Sequence, residues 1–576
     1  MAPNLMNIPP EIQGLLGCHL HITDLKSVSG TCKTLHTAFL AKLYTRVVIR
    51  VPIRWSRLVS LEHLISSTGS GFKFTTDICI TAQQQPLKDG TEESEDGLTT
   101  QEIADERKLL FCLPQISASK ALNVLIRLLL IRIPDNGLKL FDWRHSCALE
   151  TSTLALLLKH QGATLRRLDV TRYAEPQDIS SLSVQGLQHL AINDLNIKQR
   201  CEWPGRLIAQ NRNSLRHLYL GVISTVTRHY AHHHGSSQYR LPASLAEMAK
   251  DTLPANEQQM MRTLSLETLG LYGLNFKNVV GGALGLQIDF DSMTTLRLES
   301  CSGLHEAFAV LMGNDDSQNA TLSGLKLKSF FVRHEDGGQA FAQQLTAFLT
   351  SFTGLQHMGL LLEGQRRAMS KAPILEMHGK TLQTLVWDER KRSREATSQN
   401  TSSFFLKDND LRIISLKCPN LTALGLSIRW GVVPPWSAAR SPFGKMFRRM
   451  PKLRTLHLRN MPKTEIAASF LPNDYMVKSL ASAILDMYAG GKRSNRQMSL
   501  TTIALGAPVY GDIHIGSNHF PNDPVRDFFQ LRVYYVDYKY QSVLGPSPTV
   551  TQVAKGTADD ATTCLDKDVL HEYWLA

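Results

Sequence analysis

The sequence predicts an α/β fold, a short N-terminal helical domain followed by a curved solenoid of parallel strands, and three observations predict it. Ile8, Ile12, Leu16 and Leu20 recur every four residues behind Pro9 and Pro10, which is the stripe of a short amphipathic helix. From residue 165 onward a pattern L-x-x-L-x-L returns again and again at spacings suited to stacked repeats. Between its copies lie amphipathic segments such as FAQQLTAFLTSF at 341–352, long enough to return the chain to the start of the next strand. With 576 residues, 43% apolar and 20% charged, the chain has material for several modules or one long array.

At the N-terminus, Thr23 or Asp24 offers a cap for a second helix. Along it Leu25, Val28, Cys32, Leu35, Phe39 and Leu43 form one apolar face. Two such helices in about 40 residues bury little on their own, so the unit needs a partner surface. Ile8-Pro9, Glu11-Ile12, Leu16, Leu20, Asp24-Leu25, Val28 and Cys32-Lys33 resemble, in order and spacing, the F-box motif. That resemblance implies docking on a Skp-type adaptor, and through it on a cullin-RING ubiquitin ligase, by Ile8, Pro9, Ile12, Leu16, Leu20, Leu25, Val28 and Cys32. Leu35 stands where the family often has Trp, and Gly14, Gly17 and Gly30 weaken the helices. On residue pattern alone the same helices could instead cap the chain's own repeats.

The repeated pattern reads Leu165/Leu168/Val170, Leu187/Leu190/Ile192, Leu215/Leu218/Leu220, Leu266/Leu269/Leu271 and Met293/Leu296/Leu298. It continues as Leu327/Phe330/Val332, Leu355/Met358/Leu360, Leu382/Leu385/Trp387, Leu421/Leu424/Leu426, Leu453/Leu456/Leu458 and Leu500/Ile503/Leu505. The fourth and sixth positions share one face of a strand and stacking buries them together. This resembles the leucine-rich-repeat proteins, although the Asn or Cys that usually follows the strand is mostly absent.

The alternating positions are expected to face outward and to bind a protein substrate: Arg167, Asp169, His217, Tyr219, Tyr272, Arg297, Glu299, Phe331, Arg333, His457 and Arg459, with His189, Asn193, His357 and Asp388 beside them. Arg297 and Arg333 could hold a phosphate if they lie close together.

Four divisions follow: a helical domain at 1–50, a connecting region at 51–160 with degenerate repeats and an acidic loop at 83–97, the solenoid at 161–510, and a C-terminal capping region at 511–576. Strand-like RVVIRV and FTTDICI fall in or beside the second.

Lys and Arg exceed Asp and Glu by 63 to 51, but the densest basic runs, RKRSR at 390–394 and KMFRRMPK at 445–452, are short, so nucleic acid is not the expected partner. Nine scattered cysteines without a C-x-x-C suit a reducing compartment. The N-terminus shows no basic segment followed by an apolar one, and the apolar run LNVLIRLLLIRI carries Arg127 and Arg132, so a cytoplasmic or nuclear protein with no membrane partner is expected. His229, His232, His233 and His234 have no second ligand cluster nearby, and no metal or cofactor is expected. Neither a nucleophile elbow nor a phosphate-binding loop occurs, which argues against an enzyme. The resemblances together imply a non-catalytic substrate-recognition subunit of a Skp-cullin-F-box ubiquitin ligase; the alternative is a repeat scaffold acting outside ubiquitylation.

Overall fold

The computed structural model describes residues 9–51, 70–82, 115–145, 147–174, 183–193, 195, 202–221, 264–274, 276, 288–299, 301–312, 325–334, 338–365, 368–391, 406–427, 442–459, 474–491, 499–505, 532–541 and 545–552. The chain divides into two compact units, the described residues up to Ser265 and those from Leu266 onward.

The first unit opens with three helices, α1 (Pro10–His19), α2 (Ile22–Ser29) and α3 (Lys33–Thr45). Three replace the expected two because the chain turns at Gly30–Thr31 and Cys32 caps a fresh helix, its Sγ accepting the Leu35 N–H. His21, rather than Thr23 or Asp24, caps α2: its Nδ1 accepts the Thr23 N–H, leaving Asp24 in the first turn where the helix dipole favours it. The core of this bundle is Leu25, Leu35 and Phe39, with Val28, Cys32 and Leu43 against it. Gly17 lets α1 pack closely on α3, since a Cβ there would meet the Phe39 ring at 3.0 Å and the ring would have to give way.

Strands β1 (Arg46–Val51), β2 (Asp77–Ala82), β3 (Leu140–Arg144), β4 (Arg167–Val170), β5 (His189–Ile192) and β6 (His217–Gly221) follow. Each pairs in parallel with the next in chain order. Helices α4 (Gln115–Arg132), α5 (Thr151–Gln161) and α6 (Glu202–Gln210) lie between strands. The sheet therefore begins at Arg46, and β1 to β3 are repeats of the same geometry in which Thr75/Ile78/Ile80 and Leu138/Phe141/Trp143 take the leucine places.

The second unit repeats the plan with β7 (Thr268–Tyr272), β8 (Thr295–Glu299), β9 (Ser329–His334), β10 (His357–Gln365), β11 (Thr384–Lys391), β12 (Ala423–Leu426), β13 (Thr455–Leu458) and β14 (Thr502–Leu505), all parallel. Its helices are α7 (Leu304–Leu311), α8 (Gln339–Thr350), α9 (Ala372–His378), α10 (Asp408–Lys417), α11 (Pro442–Arg449) and α12 (Asp474–Gly491). Phe330 of β9 lies 5.5 Å from Phe348 of α8, which stacks on Phe308 of α7 at 4.9 Å, so the leucine-type positions face the helices. At the C-terminal end β15 (Arg532–Gln541) runs antiparallel to β14 and β16 (Gly545–Gln552) antiparallel to β15, covering what would otherwise be an open strand edge.

A buried polar motif joins successive copies. Gln161 Oε1 accepts the Leu138 N–H at 2.9 Å, Asn211 Oδ1 accepts the Leu187 N–H at 2.8 Å, and His378 Nδ1 accepts the Leu355 N–H at 3.4 Å. Three residues later Thr164, Ser214 and Thr381 donate a hydroxyl to the carbonyl of the same leucine. The signature [QNH]-x-x-[ST]-L thus satisfies backbone groups that stacking buries, and it precedes the strand instead of following it.

Candidate functional site

Two surfaces carry the residues expected to bind partners. The first is the N-terminal bundle. Having spent Leu25, Leu35 and Phe39 on its own core, it leaves Ile12 45%, Leu15 60%, Leu16 38%, Leu20 38% and Ile22 44% exposed. These side chains come from one helix, the turn after it and the first residue of the next, a density of exposed apolar groups that burial within the bundle does not absorb. Pro9 is exposed beside them, and Ile8 lies outside the described residues. Leu25 is 2% exposed, so its expected place on a docking face is corrected: it is interior. Val28 and Cys32 are half-buried against the same core. Leu15 and Ile22 were not expected; Leu15 adjoins Leu16 and Ile22 lies two residues beyond Leu20, and four-residue spacing passes over both.

The second surface is the face of the sheet turned away from the helices. In the first unit Arg144 Nη2 lies 2.8 Å from Asp142 Oδ2 and 3.9 Å from Asp169 Oδ2, while Arg167 Nη2 lies 3.2 Å from Asp169 Oδ2. Asp142 and Asp169 face each other on neighbouring strands. Burial first, then the Asp142 charge, push the Asp169 carboxyl up to about 6 against the pull of Arg144 and Arg167. Beside this cluster the His189 ring lies 5.8 Å from His217 and 5.3 Å from Tyr219. Burial, aided by Arg167, His217 and Arg144, pushes His189 down to about 3, so it is a neutral ring at physiological pH. Asn193 is buried at the end of the same strand.

In the second unit Tyr272, Arg297, Glu299 and His357 are half-buried on the corresponding face, and Arg297 is paired with Glu299 of its own strand. Register sets Phe331 opposite Arg297 and Arg333 opposite Glu299, so the two arginines lie diagonally, and Arg297 is already committed to a carboxylate. Phe331 packs with Val386 and Leu361. Asp388 accepts hydrogen bonds from Ser427 Oγ at 2.7 Å and Arg459 Nε at 3.2 Å, and all three are buried with His457.

Outward orientation was expected to mean solvent contact. For Asp169, Phe331, Arg333, His457 and Arg459 that expectation is corrected, because packing and ion pairing along the face bury them. Arg167, His217, Tyr219, Tyr272, Arg297 and Glu299 keep partial exposure.

On the helix side the pattern gave no hint of an ion pair between Lys371 Nζ and Glu389 Oε1 at 2.9 Å, with Lys371 also 5.0 Å from the Trp387 ring centre. Burial pushes the Cys79 thiol up to about 11 and those of Cys301 and Cys418 up to about 12, so none of these three is a thiolate at neutral pH. Among the described residues no group of three or more His, Cys, Asp and Glu side chains is placed to hold a metal ion, and His229, His232, His233 and His234 lie outside those residues. Among them too, no helix is long and apolar enough to cross a membrane. No family model and no curated protein matches the chain.

Proposed function

We propose that this protein is a substrate-recognition adaptor subunit of a Skp-cullin-F-box ubiquitin ligase, with a curved leucine-rich-repeat-like array following an F-box-like bundle. The carrying observation is the apolar surface of Ile12, Leu15, Leu16, Leu20 and Ile22, exposed on a bundle whose interior is already filled. A helix face of this kind is suited to an apolar groove on another chain. The partly exposed arginines, histidines and tyrosines of the sheet face supply a surface for a protein substrate. The protein contributes no catalytic group in this reading; it raises the effective concentration of a substrate lysine near the ubiquitin-charged enzyme.

The test is capture of a purified Skp-type adaptor by the full-length chain and by its Ile12→Asp and Leu16→Asp variants. The proposal expects capture by the parent chain and at least a ~100-fold loss in each variant, because a charge is then buried in an apolar interface. If the adaptor is captured but no cullin joins the complex in a reconstituted mixture, the protein is a scaffold working outside ubiquitylation.

A further inference from the structure

The basic segment KMFRRMPK has no role in adaptor docking or in the sheet face. Its apolar and basic residues separate in space: Phe443, Met446, Phe447 and Met450 are buried, whereas Lys445, Arg448 and Arg449 on α11, and Lys452 and Arg454 just beyond it, are exposed. No acidic residue interrupts the stretch from Pro442 to Thr455. The ridge continues onto α10, which exposes Arg412 and Lys417. Arg449 Nη1 reaches Ser415 Oγ at 3.5 Å and Lys452 Nζ reaches Asn420 Oδ1 at 2.8 Å, which ties the two sets of cations together. Among the described residues the acids on the helices that neighbour the ridge are Glu376, Asp408, Asp410, Asp474 and Asp486, and Glu376 is already paired with Lys417 at 3.3 Å. Attraction to a helix C-terminus accounts for Arg448 and Arg449 in the last turn of α11 but not for Lys445, Lys452 or Arg454.

We propose that this ridge docks an acidic segment of a protein partner, with Leu416, 53% exposed, and Met377, 38% exposed, as the apolar contacts beside the charges. Charge complementarity selects a polyanion, and the neutral surroundings select its class. Phe443 and Phe447 face inward, and α10 carries no aromatic residue, so among the described residues of the ridge there is no exposed ring on which a base could stack. The apolar side of α11 is consumed by the core and is unavailable for insertion into a lipid surface.

Fluorescence anisotropy of a labelled Glu-rich peptide containing one Leu, titrated with the full-length chain at low and physiological salt, tests the proposal. The variant Lys445→Ala/Arg449→Ala/Arg454→Ala is compared with Lys120→Ala/Lys139→Ala/Lys159→Ala, which removes equal charge from exposed positions in the first unit. The ridge variant is expected to weaken binding by at least ~10-fold and the control by less than ~2-fold, with the difference shrinking as salt rises. Equal weakening in both variants overturns the proposal. So does tighter binding of a single-stranded oligonucleotide or of phosphatidylserine vesicles of matched charge than of the peptide. Circular dichroism melts check that both variants fold, and adaptor capture, which uses α1, is unaffected by either outcome.

Discussion

Gln161, Asn211 and His378 each spend a buried side chain on backbone groups of the preceding copy, and removing one leaves those groups without a partner. Asn211→Ala is expected to lower stability by about 1–3 kcal/mol, read as a lower urea midpoint. His378 adds a pH dependence. Burial holds it below its ordinary value of 6.5, with Nε2 bonded to the Leu349 carbonyl at 2.6 Å and Nδ1 accepting from Leu355. The unfolded chain then binds the proton more readily than the folded one, so stability is complete above 6.5 and falls as pH drops toward the lower folded value. His378→Gln, which keeps a donor and an acceptor as Gln161 does, is expected to flatten that decline in urea titrations from pH 7 to 5. Lys371→Ala strands the Glu389 carboxylate in the interior and is expected to cost about 3–5 kcal/mol by the same measurement. None of these polar roles was legible in the sequence: a single buried Gln, Asn or His at a helix end looks like any other, and only the shared partner leucines reveal the set.

At the scale of elements, Leu16 and Leu25 have opposite fates although both sit on amphipathic helices. Leu25→Asp is expected to unfold α1 to α3, seen as loss of hydrogen-exchange protection there. Leu16→Asp should leave that protection intact, since its side chain already meets solvent. The strands β4 to β14 were legible because alternating leucines fix which side chains face the helices. Those of β1 to β3 were harder to read, because Thr75, Ile78, Ile80, Phe141 and Trp143 fill the same volumes with different residues. Alternation also says which face a residue occupies and nothing about what packs on that face. Arg333, His457 and Arg459 were therefore placed on the correct side and given the wrong exposure. The break between α2 and α3 was hidden by an apolar spacing that runs straight through Gly30 and Cys32.

For the molecule as a whole, each unit is held by contacts between successive copies, so stability is expected to be local rather than shared evenly. In the second unit His378→Ala should reduce amide protection first in β10 and β11 while β14 and β15 keep theirs; uniform loss across the unit would argue for a single cooperative block. The proposed function divides along the chain in the same manner. The N-terminal bundle offers an apolar face, the sheet a mixed polar one, and the residues of each come from separate stretches of sequence. The first of these faces is the one we assign to a partner chain. Calorimetric titration of a Skp-type adaptor into the full-length protein, its Leu16→Asp variant and a Leu416→Asp control, exposed on α10, tests that assignment most directly. The parent and the control are expected to bind and Leu16→Asp is not. Equal binding by all three, or none by the parent chain, would contradict the assignment.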